Sequence, residues 1–274
     1  MDSNNDFALI TGASLGIGRE IAKELSKLHI NTLLIALDSP ELNDTEKYIA
    51  ENYGTRVDSL GIDLTDSNAS NQIYDWCKKN NYNVNILINN AGFGEGGAFE
   101  DISLERYCQM IDLNNKAYIS LTHRFLPDMK KLGKSHIMNT SSMEATLPLP
   151  YKSVYTGTKN FIYAYSLALN EEVRRFGVKI SILCPGPVLT NEGGLKRIQA
   201  QGAKAKLIVM MPDEVARVAV KNMLKGMLII NPGKMNWWVT KVAKLIPTRL
   251  KMRIMERIFR VYTKEEKLNQ QNPS

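Results

Sequence analysis

The strongest constraint on the fold of this chain is its regular alternation of short β-rich runs with longer amphipathic segments. "FALIT" at 7–11 precedes a helical pattern through Leu28, "TLLIAL" at 32–37 precedes one near 44–53, and "VDSLGI" at 57–62 precedes one near 67–79. "NILIN" at 85–89, "HIMNT" at 136–140 and "KISILC" at 179–184 continue the series, with a last short strand near "MLII" at 227–230. Near-continuous apolar strands separated by helices predict a parallel sheet covered on both faces, which is a doubly wound α/β domain of the Rossmann type. The 274 residues, 44% of them hydrophobic, are enough for one such domain and an appendage. There is no internal repeat or low-complexity stretch, and the boundary falls at Pro232 and Gly233. Residues 1–233 are expected to form the α/β domain and residues 234–274 a basic helical tail.

Several function classes are disfavoured at once. The start, "MDSNND", is polar and acidic with no apolar run after it that resembles a signal peptide, and about 18 consecutive apolar residues occur nowhere. A soluble or peripheral protein is therefore expected. Cys77, Cys108 and Cys184 are too few and too widely spaced for a disulfide framework or a CxxC metal site, which favours the reducing cytoplasm. His29, His123 and His136 are scattered, so no metal is assigned. The net charge of +7 lies in the tail: residues 234–274 hold ten Lys or Arg against three Glu, and the rest of the chain is neutral. A neutral domain gives no reason to expect nucleic acid as a partner.

Two motifs carry the chemistry. "TGASLGIG", Thr11 to Gly18, follows the first strand and opens the first helix, with glycines at 12, 16 and 18. Glycines let the backbone turn sharply and approach a pyrophosphate, which the free N–H groups and dipole of a helix start attract. The second motif is "SVYTGTKNF", in which Tyr155 and Lys159 are four apart and so share one helical face. Ser142 lies thirteen residues before Tyr155 at the end of a predicted strand, and Asn114 lies 41 before it. A tyrosine has an ordinary pKa of about 10, and an ammonium one turn away would stabilise its phenolate and bring it toward the range of a general acid/base. Ser142 could donate a hydrogen bond to an oxygen on which charge develops. A second Y-x-x-x-K pair, Tyr74 and Lys78, has no such serine and reads as a solvated helix face.

Together these residues resemble the short-chain dehydrogenase/reductase family. "NNAG" at 89–92, "DLT" at 63–65, Asn114 in "IDLNN", and "PGPVLT" at 185–190 complete the pattern in the family's order along almost the whole chain. The resemblance implies an NAD(P)-dependent oxidoreductase acting on a carbonyl/alcohol pair, with Asn114, Ser142, Tyr155 and Lys159 as its catalytic set. It implies that Gly12, Ser14, Leu15, Gly16, Ile17 and Gly18 hold the pyrophosphate side of the cofactor, with Asp63 and Leu64 near the adenine. Asn90, Ala91, Gly92, Pro185, Gly186, Val188 and Thr190 would line the nicotinamide side, Thr190 anchoring the carboxamide. Lys159 would also bind the nicotinamide ribose, and Asn114 would help hold a relay water. The positions where the family commonly supplies a cation for a 2′-phosphate are Leu15 and Leu37, while Asp38 could accept from an adenosine ribose. The balance tips to NAD and leaves NADP open, since Asp is tolerated there and nearby cations could compensate.

Family substrates are held mainly by the segment after "PGPVLT", here residues 191–211, and by residues just past Ser142. The segment mixes apolar residues with cations, which suits either a lid over an apolar ligand with an anionic group or a helix with a solvated basic face. In the tail, Val242, Leu245, Ile246, Leu250, Ile254, Ile258 and Val261 recur near helical periodicity with Lys and Arg between them, and Pro247 divides two expected helices. Preceded by Trp237 and Trp238, this pattern suits the inner face of an anionic membrane, or equally a helical pair packed on the domain or a second subunit. The tail also resembles the branch of long-chain 3-ketoacyl and 17β-hydroxysteroid reductases, and family resemblance implies a homodimer or homotetramer. The rival readings are a dinucleotide-sensing or scaffold protein on the same fold, and a membrane-docking protein.

Overall fold

The structure is a computed structural model in which residues 5–189, 209–233 and 246–260 are described. Seven parallel strands form one sheet: β1 (Asp6–Thr11), β2 (Asn31–Ala36), β3 (Val57–Gly61), β4 (Asn83–Asn89), β5 (Ser135–Thr140), β6 (Val178–Leu183) and β7 (Ile229–Ile230). They lie in the order 3-2-1-4-5-6-7. The connecting helices are α1 (Gly16–Lys27), α2 (Pro40–Tyr53), α3 (Ala69–Lys79), α4 (Leu104–Ile111), α5 (Ala117–Leu132), α6 (Ser153–Val173) and α7 (Pro212–Leu224), and α8 (Thr248–Phe259) follows in the tail. The fold is the doubly wound parallel sheet that the alternating pattern predicts.

Strand alternation sorts the core into two layers. Phe7 and Leu9 of β1 face one side, with Ile73 of α3, Leu121 and Phe125 of α5 and Leu169 of α6. Ala8 and Ile10 face the other, with Ile21 and Leu25 of α1 and Val215 and Ala219 of α7. Because successive strand residues point to opposite faces, the apolar run of β1 covers both layers at once. Asn89 Nδ2 donates to Asn139 Oδ1 (2.8 Å) and Thr122 Oγ1 (3.1 Å), and Asn139 Nδ2 donates to Ser166 Oγ (2.8 Å), so the buried carboxamides of β4 and β5 are tied to α5 and α6.

Strand β1 pairs with both β2 and β4, so the connections diverge there and open a crevice beyond the strand ends. Two details differ from the sequence pattern. Helix α2 starts at Pro40 after Ser39, about a turn before the expected residue 44, because Pro fits the first helical position, where no N–H is needed. In the tail, α8 begins directly after Pro247, and its Met255 and Phe259 pack on Leu147 and Leu149 of the segment that leads into α6. Val242, Leu245, Val261 and the Trp237–Trp238 pair lie outside the described residues.

Candidate active site

The crevice at the end of β1 is shaped by what its glycines lack. Gly12 and Gly16 have φ of +66° and +58°, a region that side chains rarely adopt. A Cβ on Gly18 would lie 2.1 Å from the Gly12 carbonyl oxygen and 2.6 Å from Asn90 Nδ2, so only glycine lets the helix start approach the turn this closely. Thr11 holds the turn to the neighbouring strand end: its Oγ1 accepts from the N–H of Asn90 (2.8 Å) and of Ala91 (3.0 Å). Asn90 Nδ2 in return donates to the Thr11 carbonyl at 3.1 Å.

The first turn of α1 has no acidic residue, and Leu15 at its cap position makes no side-chain hydrogen bond. Its leading N–H groups are therefore free to meet an anion. Arg19, one residue beyond Gly18, has a buried Nε with no partner, a donor that the sequence reading passed over. This donor set fits the pyrophosphate of a dinucleotide. Asp38 is exposed just past β2, where its Cβ would lie 2.7 Å from a Cβ on Gly61. The carboxylate of Asp63 accepts from the N and Oγ1 of Thr65, both at 2.8 Å, which fixes the turn after β3. Leu15 and Leu37 are exposed apolar residues.

The polar cluster gathers at the ends of β4, β5 and β6. Tyr155 and Lys159 are on one face of α6, with Lys159 Nζ 5.9 Å from the Tyr155 ring centroid and donating to the Thr140 carbonyl at 3.0 Å. Room for that ammonium comes from Gly92, whose Cβ would lie 3.4 Å from Lys159 Nζ and 2.7 Å from Asn114 Oδ1. Gly94 clears the other side, since a Cβ there would meet the Tyr155 ring at 2.7 Å. Ser142 lies two residues past β5 and its Oγ accepts from the Glu144 N–H at 3.1 Å, which leaves its own proton to donate. Asn114 sits in a π-turn, Asp112–Lys116, between α4 and α5. Its Oδ1 accepts from the Phe93 N–H (3.1 Å), and its Nδ2 donates to the Phe93 carbonyl (2.9 Å) and to Thr158 Oγ1 (3.1 Å). The extra residue of the π-turn aims Asn114 and Asn115 together at α6, where Asn115 Nδ2 donates to the Thr158 carbonyl at 2.8 Å.

The electrostatics correct one expectation. Burial pushes the Tyr155 phenol above its ordinary pKa, the Glu144 carboxylate adds to this, and a hydrogen bond with Ser142 opposes it. Where the Lys159 ammonium is expected to lower it, the phenol of the protein alone is raised, with removal of the phenolate from water as the largest cause. Burial also brings Lys159 down to about 8.

Residues 6–200 match the short chain dehydrogenase family. The chain belongs to that family. A very-long-chain 3-oxoacyl-CoA reductase of Laccaria bicolor is 30% identical over 215 residues, which cover 77% of this short-chain dehydrogenase and 61% of the fungal protein. An uncharacterized oxidoreductase of Staphylococcus epidermidis is 30% identical over 200 residues, covering 71% and 85% of the two chains. Among solved structures, a short-chain dehydrogenase from Sphingobium yanoikuyae in complex with NADPH superposes with a TM-score of 0.74 at 26% identity, covering 88% of this chain and 94% of that one. The family's members are oxidoreductases of alcohol/ketone pairs that use a nicotinamide dinucleotide.

The Ser14 carbonyl accepts from Thr45 Oγ1 (3.2 Å), while Ile17 and Val188 pack on the second core layer and Leu64 and Ala91 belong to the first. The Pro185 carbonyl accepts from the Met143 N–H at 3.0 Å, with Gly186 half-buried beside it. Thr190 and residues 191–208 lie outside the described residues. Tyr74 and Lys78 are more than a solvated face: Tyr74 is half-buried, and both donate to Asp128 of α5 at 2.7 Å. Sequence reasoning missed Glu144 and Lys152, an ion pair of 3.2 Å beside Tyr155, with Lys152 Nζ 5.7 Å from the ring centroid. Nothing in the spacing of two charges eight apart marks them, since only the loop after Ser142 brings them together.

Proposed function

We propose that this short-chain dehydrogenase exchanges a hydride between a nicotinamide dinucleotide and a lipophilic ketone/alcohol pair of the 3-oxoacyl or steroid-like kind. One observation carries the reading: Ser142, Tyr155 and Lys159 converge at the strand ends next to a glycine cradle that fits a dinucleotide. The bound cofactor would supply or accept the hydride. In the direction of reduction, the protonated Tyr155 gives its proton to the substrate oxygen, and Ser142 donates a second hydrogen bond to it. Lys159 contributes positive charge from below the ring and binds ribose hydroxyls. Asn114, with both ends of its carboxamide engaged on Phe93 and Thr158, acts here as a positioning residue that keeps the 92–98 loop off Tyr155.

The name of the fungal relative supports a lipophilic substrate. Asp38, with apolar Leu15 and Leu37 where clamps would be, supports NAD over NADP. Among the described residues no helix is long and apolar enough to cross a membrane. We take the protein to be cytoplasmic, with the tail beyond Gly233 making peripheral contact with a membrane. A homodimer is supported by an apolar groove of about 560 Å³ between α4, α5 and α6, lined by Ile111, Ile119, Val154 and Phe161.

The test is the initial rate of NADH and NADPH oxidation against 3-keto compounds of increasing chain length. The reading expects turnover that rises with length, prefers NADH, and falls about a thousandfold in Tyr155→Phe. Cofactor binding without reduction of any ketone would replace it with the dinucleotide-sensing reading.

A further inference from the structure

Helix α8 has one face too many. Its inner face is occupied: Met255 and Phe259 pack on Leu147 and Leu149, and Glu256 accepts from Tyr151 Oη at 2.9 Å while pairing with Arg260 at 2.7 Å. The outer face carries Leu250, Ile254 and Ile258, which are 52%, 38% and 56% exposed. Being four apart, they form one line along the helix, and the exposed Arg249, Arg253 and Arg257 form a parallel line one position earlier. Glu256, the only acid of the helix, is on the inner side, so the outer face is wholly cationic and aliphatic. Neither Arg249 nor Arg253 forms an ion pair among the described residues.

Folding alone does not account for this face. Three branched aliphatic residues in water gain nothing from burial, and Arg249 in the first turn opposes the helix dipole, which favours anions there. A second copy docked by a two-fold axis would present the same cationic and aliphatic face and so bring no counter-charge to the arginine row. Nucleic acid would pair the arginines and leave the aliphatic line uncovered. A surface with anionic headgroups over a hydrocarbon interior satisfies both lines at once.

We propose that the outer face of α8 docks in the plane of an anionic bilayer, with Leu250, Ile254 and Ile258 in the acyl boundary and Arg249, Arg253 and Arg257 on lipid phosphates. The inner face of the same helix covers the 147–151 segment, between Ser142 and the start of α6. Docking therefore turns the substrate side of the catalytic cluster toward the membrane, and a lipophilic ketone would enter from lipid. This last step rests on the reductase reading, whereas the docking does not.

The experiment is flotation of the full-length protein with vesicles of phosphatidylcholine alone or mixed with phosphatidylglycerol. Binding is expected only to the anionic vesicles and is expected to weaken with salt. Replacing Arg249, Arg253 and Arg257 together by Gln should weaken it about a hundredfold. Replacing Leu250, Ile254 and Ile258 together by Ser should weaken it about tenfold or more. Both variants change exposed residues only, and unchanged far-ultraviolet circular dichroism would establish their folding. As a second readout, Ile254→Cys carrying an environment-sensitive dye should shift to the blue on anionic vesicles alone. Equal binding of either triple variant and the parent, or a dye that stays in water, would overturn the docking. So would a change in oligomeric state in place of vesicle binding, which would make the face a contact between copies. Vesicle binding by a protein that reduces no ketone would refute the reductase reading and leave the docking intact.

Discussion

Lys159 is 4% exposed, and no carboxylate pairs with it among the described residues. Its ammonium is held by the Thr140 carbonyl and faces the rings of Tyr155 and Tyr118. Removal from water disfavours the charged form, which is why its pKa is brought down to about 8, while burial keeps the neighbouring phenol of Tyr155 protonated well beyond that. The charged groups facing Tyr155 are Glu144 and Lys152 from the preceding loop and Lys159 from its own helix. Below about 8 the ammonium is present and can stabilise charge in the transition state. Above it, that charge is lost. The kcat/KM for ketone reduction should thus be flat near neutrality and fall about tenfold per pH unit above an apparent pKa near 8. A profile flat to about pH 10 would mean that Lys159 does not discharge there and that the phenol sets the alkaline limit instead.

At the scale of elements, Asp128 joins α3 to α5 by accepting from Tyr74 and Lys78, with Lys131 at 3.3 Å. Burial tends to raise its pKa, but these partners outweigh burial and hold the carboxyl at about 2. Since the folded value lies below the unfolded one, the contribution to stability is fully present above about pH 4 and is lost as pH falls toward 2. After allowance for solvent screening, Asp128→Asn should cost on the order of 1 kcal/mol near neutrality and nearly nothing at acid pH. Urea unfolding at the two pH values checks this, and an equal loss at both would indicate packing rather than charge. The same pair shows where the sequence stops being legible. Every strand, and the glycine turn that ends the first, could be read from it because apolar alternation and glycine spacing are local signals. Tyr155, Lys159 and Ser142 could be matched because they stand at fixed intervals on a strand end and a helix. Tyr74–Asp128 joins residues 54 apart on different helices, and Glu144–Lys152 depends on the path of one loop. The π-turn at Asn114 changes helix phase by one residue, which no periodicity of polar and apolar residues reveals.

For the whole molecule, the apolar groove on α4, α5 and α6 is a second surface left uncovered among the described residues. Helix α6 serves two purposes along its length: Lys159 faces the core at the strand ends, and Val154, Gly157 and Phe161 face outward. Ile111 and Ile119 flank the π-turn that positions Asn114, so the groove backs directly on the residues that hold the candidate catalytic cluster. A two-fold axis through this face would set each α6 against its copy and bury Phe161 and Ile119 on both sides, making one self-complementary contact. Such a contact would brace the helix that presents Tyr155. Introducing a carboxylate at its centre then has two consequences, because a desolvated, unpaired charge opposes association and the bracing is lost with it. Phe161→Asp should weaken the dimer by about two orders of magnitude and convert it to monomer in light scattering at micromolar concentration. Activity should fall in proportion to the remaining dimer and recover as protein concentration is raised. A monomer that is fully active at every concentration would show that α6 needs no partner to hold its geometry, and the groove would then have to be assigned to something other than a second copy of this chain.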